Sequence, residues 1–359
     1  MVPFELEDFF DCYEHVVGLI NLASSDALPW TTADLEARGV IAAGTPFSLQ
    51  YPDVNGRLLP ELKRFCAPPS GIGLLPTSGA AEAISLVMHE LSQSPQGMRI
   101  ALPAPAYGAF NGLADLLRIP ATTYTYQPER GWKPDPDEML DLAKQCSAVI
   151  VTNPHNPTGD VLAPEFLNRL ADKLLGHNGV LIVDEVFRVH DETSSAMSLG
   201  PNVVVIGSLS KTYGLPGLRL GWIAAAQDRL RRLRTIQQYI TLTLGAMTVE
   251  FGTAILQRAE KLSRADLIRE NRRILTDWVE SCSGVVSISE PKGGTTVALA
   301  LETAVTEQEL FKKFKDAGVL MPPGSQCFRA YDDLRWFRLG YGTETGKLRE
   351  GLQRLRGAI

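Results

Sequence analysis

The sequence lacks the marks of several large protein classes. No apolar run in the 359-residue chain approaches the roughly 20 residues that a membrane-spanning helix needs. The opening residues MVPFELEDFF are acidic, whereas a signal peptide begins with basic residues. Lys and Arg number 35 against 41 Asp and Glu, a net charge of −6, so no basic excess favours nucleic acid. These absences predict a protein with neither a membrane nor a nucleic acid as its partner.

Paired cysteines and nucleotide-binding motifs are also missing. The five cysteines are odd in number, scattered, and never spaced as Cys-x-x-Cys. This usage fits reduced thiols in the cytoplasm better than a disulfide framework or a zinc site, and it predicts no metal. The motifs GxxxxGK[ST] and GxGxxG do not occur, which excludes the usual P-loop and dinucleotide-binding enzymes. The length suits two domains of ordinary globular composition.

The most informative segment joins a strand to a glycine-rich loop. Residues 203–207 (VVVIG) have the length and β-branching of a buried parallel strand, and SLSKTYGLPGLRLGW follows. Lys211 lies among small and hydroxyl residues, where a desolvated amine would lose its proton and form an imine with an aldehyde. Arg219 offers a planar fork of donors for a phosphate, beside the hydroxyls of Ser208 and Ser210. The alternative is a surface loop with an exposed lysine and arginine.

The pattern S-x-S-K-x-x-G-x-x-G-x-R-x-G resembles the lysine motif of fold-type I enzymes that use pyridoxal phosphate (PLP), the class I/II aminotransferase family. The resemblance covers roughly residues 20–350. It implies an α/β fold, with a large domain built on a mostly parallel seven-stranded sheet in an α/β/α sandwich and a smaller α/β domain. Residues 1–40 would form the N-terminal arm and part of the small domain, residues 41–245 the PLP-binding domain, and residues 246–359 the C-terminal small domain.

Further motifs follow in the order that the family shows. Residues 76–91 (PTSGAAEAISLVMHEL) place a hydroxyl–glycine turn before a helix, whose free backbone N–H groups favour an anion. Residues 153–159 (NPHNPTG) form a rigid turn after an apolar strand. Residues 179–185 (GVLIVDE) end a second apolar strand in acid, where α/β proteins bind ligands. An arginine pointing inward from the strand in WFRLGY needs an anionic partner.

The resemblance gives these positions roles. The predicted catalytic residues are Lys211, which would carry PLP and take the Cα proton, Asp184, which would pair with the ring nitrogen, and Tyr107, which would stack on the ring. The other predicted cofactor contacts are Gly79, Ala80, Ala81, Asn156, Phe187, Ser208, Ser210, Arg219 and Tyr51. The predicted substrate contacts are Arg338, which would clamp the α-carboxylate, together with Asn156, Ser24 and Asp26.

Several of these residues have simpler explanations when taken one at a time. Tyr107 would also serve in core packing, Asp184 would also serve as a helix N-cap, and residues 23–26 would also form a plain turn. Tyr51 would be an ordinary turn aromatic. In the family, however, the tyrosine at its position reaches the phosphate of the neighbouring subunit, which implies a homodimer with shared active sites.

Phe187 departs from the family pattern. At this position the family usually has a tyrosine, whose hydroxyl bonds the cofactor oxygen. Without that donor, the imine that Lys211 would form with the cofactor would hold its proton less tightly or depend more on Asn156. This departure puts ordinary aminotransferase chemistry in question.

The function predicted from these residues is a PLP-dependent reaction of an α-amino acid, most simply transamination. The strings INLASSD, LPGLRLGW, QQYITLTLG and KGG resemble the capreomycidine synthase-like branch. In that branch the Cα carbanion expels a side-chain hydroxyl and an arginine guanidinium closes a ring. A lyase or cyclase acting on a hydroxylated arginine is therefore the alternative, with Glu14 and Asp26 as acceptors of the guanidinium. A PLP-binding protein without catalytic activity is the third hypothesis.

Overall fold

A computed structural model describes residues 3–42, 44, 48–93, 98–189, 192–282 and 286–359. Its strands, in chain order, are β1 (Ile20–Asn21), β2 (Ile72–Ser78), β3 (Ile100–Ala104), β4 (Ala121–Gln127), β5 (Lys133–Pro134), β6 (Ala148–Thr152), β7 (Val180–Asp184), β8 (Val203–Ser208), β9 (Leu220–Ala226), β10 (Val286–Ile288), β11 (Thr296–Leu301), β12 (Val319–Leu320) and β13 (Trp336–Gly340).

The α-helices alternate with these strands through most of the chain. They are α1 (Glu5–Tyr13), α2 (Thr32–Ala37), α3 (Leu59–Cys66), α4 (Gly79–Ser92), α5 (Ala109–Leu116), α6 (Pro136–Gln145), α7 (Pro164–Leu175), α8 (Gln227–Ile240), α9 (Ala246–Leu256), α10 (Ala265–Glu280), α11 (Glu307–Asp316), α12 (Gly324–Phe328) and α13 (Thr345–Ala358). The described helices include none long and apolar enough to cross a membrane.

The large sheet has the strand order β2-β9-β8-β7-β6-β3-β4-β5. Strands β4, β3, β6, β7 and β8 run parallel, whereas β9 lies antiparallel between β8 and β2. The predicted mostly parallel seven-stranded sheet is confirmed, and the two-residue strand β5 adds an eighth strand at one edge.

Helices cover both faces of this sheet. Every residue of β6, β7 and β8 is buried, as expected for strands packed on both sides. On β6, Val149 and Val151 belong to one core, whereas Ala148 and Ile150 belong to the other, because successive side chains point to opposite faces. One core includes residues of α3, α6, α7 and α9, and the other includes residues of α4, α5 and α8. This is the predicted α/β/α sandwich.

Two small sheets hold the rest of the described strands. Strands β10, β11 and β13 form an antiparallel sheet, whose core includes residues of α10, α11 and α13. Strand β1, at the N-terminal end, pairs in parallel with β12. The N-terminal residues therefore pack with the C-terminal part of the chain. The predicted domain boundaries near residues 40 and 245 stay a prediction.

The first helix is shorter than its apolar spacing predicts. The spacing indicates a helix over residues 4–18, but α1 ends at Tyr13. The residues that follow include Val16 and Val17, which are β-branched, and Gly18, which has a positive φ of 93°; both residue types weaken helices. Val17 is consequently 97% exposed, although the helical pattern placed it with the buried residues. The sequence also predicts a strand over residues 285–289; β10 begins at Val286, and Val285 lies outside the described residues.

Candidate active site

A cavity of about 170 Å³ opens at the carboxyl edge of the large sheet. The register aligns Thr152 at the end of β6 with Asp184 at the end of β7, and Asp184 with Ile206 of β8. The cavity is lined by Leu6, Glu7, Phe10, Ser25, Asp26, Ala80, Ala81, Ile84, Tyr107, Thr152, Asn156, Asp184, Val186, Phe187, Ser208, Ser210, Lys211, Pro216, Arg219 and Arg338. Because parallel strands present their carboxyl ends together, motifs far apart in sequence meet here.

Lys211 lies in the loop after β8, and its amine forms an ion pair inside the cavity. The Nζ atom lies 2.9 Å from Oδ1 of Asp26, and both side chains are mostly buried, with 28% and 20% exposed. The Lys211 carbonyl accepts a hydrogen bond from the backbone N–H of Ala27 at 2.8 Å. The N-terminal arm thus holds both the backbone and the side chain of the lysine.

The start of α4 and the side chain of Arg219 together form a cradle. Gly79 has a positive φ of 75°, and a Cβ atom built there would overlap the guanidinium of Arg219. Gly221 is equally constrained, since its Cβ would lie 2.6 Å from the carbonyl carbon of Gly79. The first N–H groups of α4 lack helical partners, and their dipole end favours an anion next to Arg219.

Asp184 is a buried carboxyl group at the floor of the cavity. It is 3% exposed, and its Oδ1 accepts a hydrogen bond from the N–H of Val186 at 3.1 Å. Burial raises the pKa of Asp184 from its ordinary value of 3.8 to about 7. The hydrogen bond from Val186 and the positive charge of Lys211 do not offset this loss of hydration. The carboxyl group of Asp184 therefore favours a cationic partner.

Buried contacts of His155 hold the 153–159 turn in place. His155 stacks on Tyr126 with ring centroids 3.5 Å apart and planes 5° apart, and its Nδ1 lies 2.9 Å from Oγ1 of Thr158. Burial lowers the pKa of His155 to about 3, so the ring stays neutral. The neighbouring Asn156 lines the cavity, as does Phe187, which is 3% exposed.

Arg338 has a buried guanidinium group in which one nitrogen donor lacks a hydrogen-bond partner. It is 1% exposed; its Nη2 donates to the carbonyl of Ala23 at 2.7 Å, and its Nη1 donates to Oδ1 of Asn156 at 3.4 Å. Its Nε has no hydrogen-bond partner, and burial lowers the pKa of Arg338 to about 10. Because an unpaired buried donor is costly, the site favours an anionic ligand at this point.

Tyr107 joins the N-terminal helix to the cavity. Its hydroxyl donates to Oε1 of Glu7 at 3.2 Å, and its ring centroid lies 5.1 Å from that of Phe4. Burial raises the pKa of Tyr107, so the phenol stays protonated and remains a donor. Helix α1 therefore closes one side of the cavity.

Comparison with known proteins decides the family. The family described as Aminotransferase class I and II matches residues 70–355. The chain belongs to this family. It is 30% identical over 296 residues to capreomycidine synthase from Streptomyces vinaceus, across 79% of this chain and 74% of that protein.

Solved structures give the same fold. A PLP-dependent aminotransferase from Streptococcus suis superposes with a TM-score of 0.87 at 23% identity, over 99% of this chain and 97% of the other. The PLP-dependent cyclase OrfR superposes with a TM-score of 0.83 at 25% identity, over 99% and 96% of the two chains. The fold is thus the fold-type I architecture of this aminotransferase family.

The cofactor of this family is PLP, and the described residues fit it. The glycine-constrained cradle at Gly79 and Arg219 suits the phosphate, and the buried carboxyl of Asp184 suits a protonated ring nitrogen. Lys211 offers an amine in the same cavity. When bound, PLP supplies an electron sink for the α-carbon of an amino acid. In the described part of the chain, no three His, Cys, Asp or Glu side chains are grouped to hold a metal ion.

Most of the predicted site residues meet in this one cavity of the aminotransferase fold. Gly79 lies just behind the lining, against Arg219. Ser24 does not line the cavity, but its hydroxyl donates to Oδ2 of Asp26 at 3.2 Å. Tyr51 is 81% exposed and outside the cavity of its own chain, so its contact with a partner stays a prediction. Glu14 was placed wrongly, because it is exposed at the end of α1 and lines no part of the cavity.

Sequence reasoning missed the residues of α1. Leu6, Glu7 and Phe10 line the cavity, although the prediction drew its arm contacts from residues 24–26. The helical spacing did mark Leu6 and Phe10 as apolar positions. No signal in the sequence distinguished Glu7 from the other acidic residues of the same helix.

Proposed function

We propose that this protein binds an α-amino acid at Arg338 and moves the proton of its α-carbon with the Nζ of Lys211. Arg338 would hold the α-carboxylate through the guanidinium nitrogen that lacks a partner. Lys211 would carry PLP and, once released by the incoming amine, remain within reach of the α-carbon as the general base. The observation that carries the proposal is the convergence of Lys211, Asp184, Arg219 and Arg338 on one cavity.

The remaining residues would position the cofactor. Asp184 would pair with the ring nitrogen, Arg219 and the start of α4 would bind the phosphate, and Tyr107 would stack on the ring. Ser208 and Ser210 would add hydroxyl donors to the phosphate, and Asn156 would bond the cofactor's phenolic oxygen. The reaction we propose first is transamination, the reaction for which the family is named.

A second candidate is elimination followed by ring closure, on a hydroxylated arginine. Two observations favour it. Phe187 lines the cavity where the family pattern has a hydroxyl donor. Capreomycidine synthase and the cyclase OrfR are also among the proteins most similar to this chain.

Incubation without a keto acid separates the two reactions. Transamination needs a keto acid to accept the amino group, so without one a single turnover should occur, and adding a keto acid should restart the reaction. Elimination and ring closure need no second substrate, so many turnovers should occur with loss of water. Mass spectrometry of the products from a panel of amino acids, including hydroxylated arginines, gives the answer. Multiple turnovers without a keto acid would overturn the transaminase assignment.

We also propose a homodimer in the cytoplasm. Large apolar side chains that a single chain leaves exposed support the dimer, and they include Leu49, Tyr51, Tyr239, Ile240, Leu242 and Met247. Tyr51 would then reach the cofactor phosphate of the partner. The five cysteines are all free, which fits a reducing compartment.

A further inference from the structure

The charges of the cavity do not balance once the proposed roles are filled. Its lining contains three basic residues, Lys211, Arg219 and Arg338, and three acidic residues, Glu7, Asp26 and Asp184. In the proposed function, on which this inference rests, Arg219 binds the phosphate, Arg338 binds the α-carboxylate and Asp184 binds the ring nitrogen. Lys211 must be a neutral amine to take the α-carbon proton, so it would no longer pair with Asp26 as a cation. Glu7 and Asp26 are then left without a cation.

These two carboxylates face the position of the amino acid. Asp26 points at the Nζ of Lys211 from 2.9 Å, and Glu7 stands at the exposed mouth of the cavity, where it accepts the hydroxyl of Tyr107. The negative charges of both acids act on Arg338, where they oppose the lowering of its pKa by burial. Glu7 and Asp26 therefore lie near the guanidinium that would bind the α-carboxylate.

Arg338 independently marks this region as a ligand site. The residue is 1% exposed and lines the cavity, yet its Nε has no hydrogen-bond partner. The Arg338 guanidinium lies over the ring of Phe10, 5.7 Å from its centroid, and Leu6 and Glu7 of the same helix also line the cavity. An α-carboxylate at this guanidinium would therefore place the amino acid's side chain next to α1.

We propose that Glu7 and Asp26 form a subsite for a cationic substrate side chain, so that the amino acid carries a distal guanidinium or ammonium group. Leu6 and Phe10 contact the apolar stem of that side chain. The carboxylates accept charge-assisted hydrogen bonds from the terminal group. A neutral side chain would leave both carboxylates without a cationic partner.

Arginine and citrulline test this subsite because they share a shape and differ in charge. Their dissociation constants are measured from the change in visible absorption of the purified holoenzyme, without a keto acid. We expect arginine to bind about 10- to 100-fold more tightly than citrulline, the range of one charge-assisted hydrogen bond. Raising the salt concentration should reduce this ratio, since Glu7 is exposed.

Two substitutions assign the effect to Glu7. Glu7→Gln keeps an oxygen for the Tyr107 hydroxyl and removes only the charge, so the arginine-to-citrulline ratio should fall by about tenfold. Asp8→Asn is the matched control, because Asp8 is also in the first turn of α1 but is exposed and outside the cavity lining. Asp8→Asn should leave the ratio unchanged. Asp26→Asn repeats the test from the other wall of the subsite.

Each outcome decides between the proposals. Equal binding of arginine and citrulline, or an unchanged ratio in both Glu7→Gln and Asp26→Asn, overturns the cationic subsite while the proposed function stands. In that case Glu7 only positions Tyr107. If no amino acid in the panel, charged or neutral, changes the absorption of the holoenzyme, the proposed function fails, and the subsite fails with it.

Discussion

At the scale of single residues, the site combines groups whose surroundings oppose their ordinary charge state. Asp184 is buried where its anion lacks hydration, and Arg338 is buried with one donor unpaired. Both arrangements favour a ligand of opposite charge. Lys211, in contrast, already has a carboxylate partner in Asp26.

Replacing Lys211 tests its covalent role. We expect Lys211→Ala to lose the cofactor adduct that borohydride fixes, and to lower the rate by roughly 10²- to 10⁴-fold or more, since it removes the amine that moves the proton. Peptide mapping by mass spectrometry locates the adduct. Lys292→Ala is the control, because Lys292 also lies close to a carboxylate, 3.7 Å from Asp160, but is not in the cavity lining. A reducible adduct that survives in Lys211→Ala would contradict the assignment.

Asp184 should make the protein without cofactor less stable as the pH rises. Its pKa in the folded chain is about 7, against 3.8 ordinarily, so the folded state binds more protons than the unfolded state between about pH 4 and 7. Stability therefore falls as the pH rises through this window, by a few kcal/mol for this group. Thermal unfolding at pH 5 and pH 8 measures the fall. Asp184→Asn should remove most of the difference, and an unaltered pH dependence would show that another group causes it.

At the scale of elements, the active site depends on how α4 begins. The positive φ of Gly79 and its contact with Arg219 bring the helix N-terminus and a guanidinium to the same point. Gly221 on β9 allows that approach, since β9 pairs with β2 directly before α4. A turn, a strand and an arginine thus come together at one point, an arrangement that suits an anion.

Gly79→Ala should damage this cradle. The new Cβ requires a strained backbone and displaces Arg219, so we expect a loss of about 1–3 kcal/mol in stability and weaker binding of PLP. Fluorescence titration with PLP and thermal unfolding measure the two effects. Gly112→Ala, on α5, is the matched control: no heavy atom lies within 4 Å of the added Cβ, and the change should stabilise by up to about 1 kcal/mol. Equal effects of the two substitutions would argue against the cradle.

At the scale of the whole molecule, the N-terminal arm connects the parts that form the site. Strand β1 pairs with β12. After β1, the N–H of Ala27 donates a hydrogen bond to the backbone carbonyl of Lys211 at 2.8 Å. The N–H of Leu28 donates to the backbone carbonyl of Gly342, also at 2.8 Å. Helix α1 packs against α12 and also contributes to the cavity wall. Residues from both ends of the chain and from its middle therefore share one pocket.

Mixed dimers test whether two chains share that pocket. Chains with Lys211→Ala lack the amine, and chains with Tyr51→Ala lack the predicted contact to the partner's phosphate. Each variant alone should be nearly inactive, whereas mixed dimers should recover part of the activity, because one of the two sites regains both residues. Sedimentation at several concentrations gives the assembly state. A fully active monomer would contradict shared sites.

The sequence by itself determined the fold class and most of the cavity. Apolar runs ending in Thr152, Asp184 and Ser208 predicted parallel strands, and parallel strands bring their carboxyl ends to one edge whatever lies between them. The order of the motifs then identified the family. Only the tertiary structure decided that Glu7, rather than Glu14, lines the cavity. It also decided that the hydroxyl of Tyr107 donates a hydrogen bond to the Glu7 carboxylate. Helical periodicity shows which face of α1 is buried. It cannot show which of the exposed acidic side chains of α1 lies at the cavity, because most of the other lining residues are about 100 or more positions further along the chain.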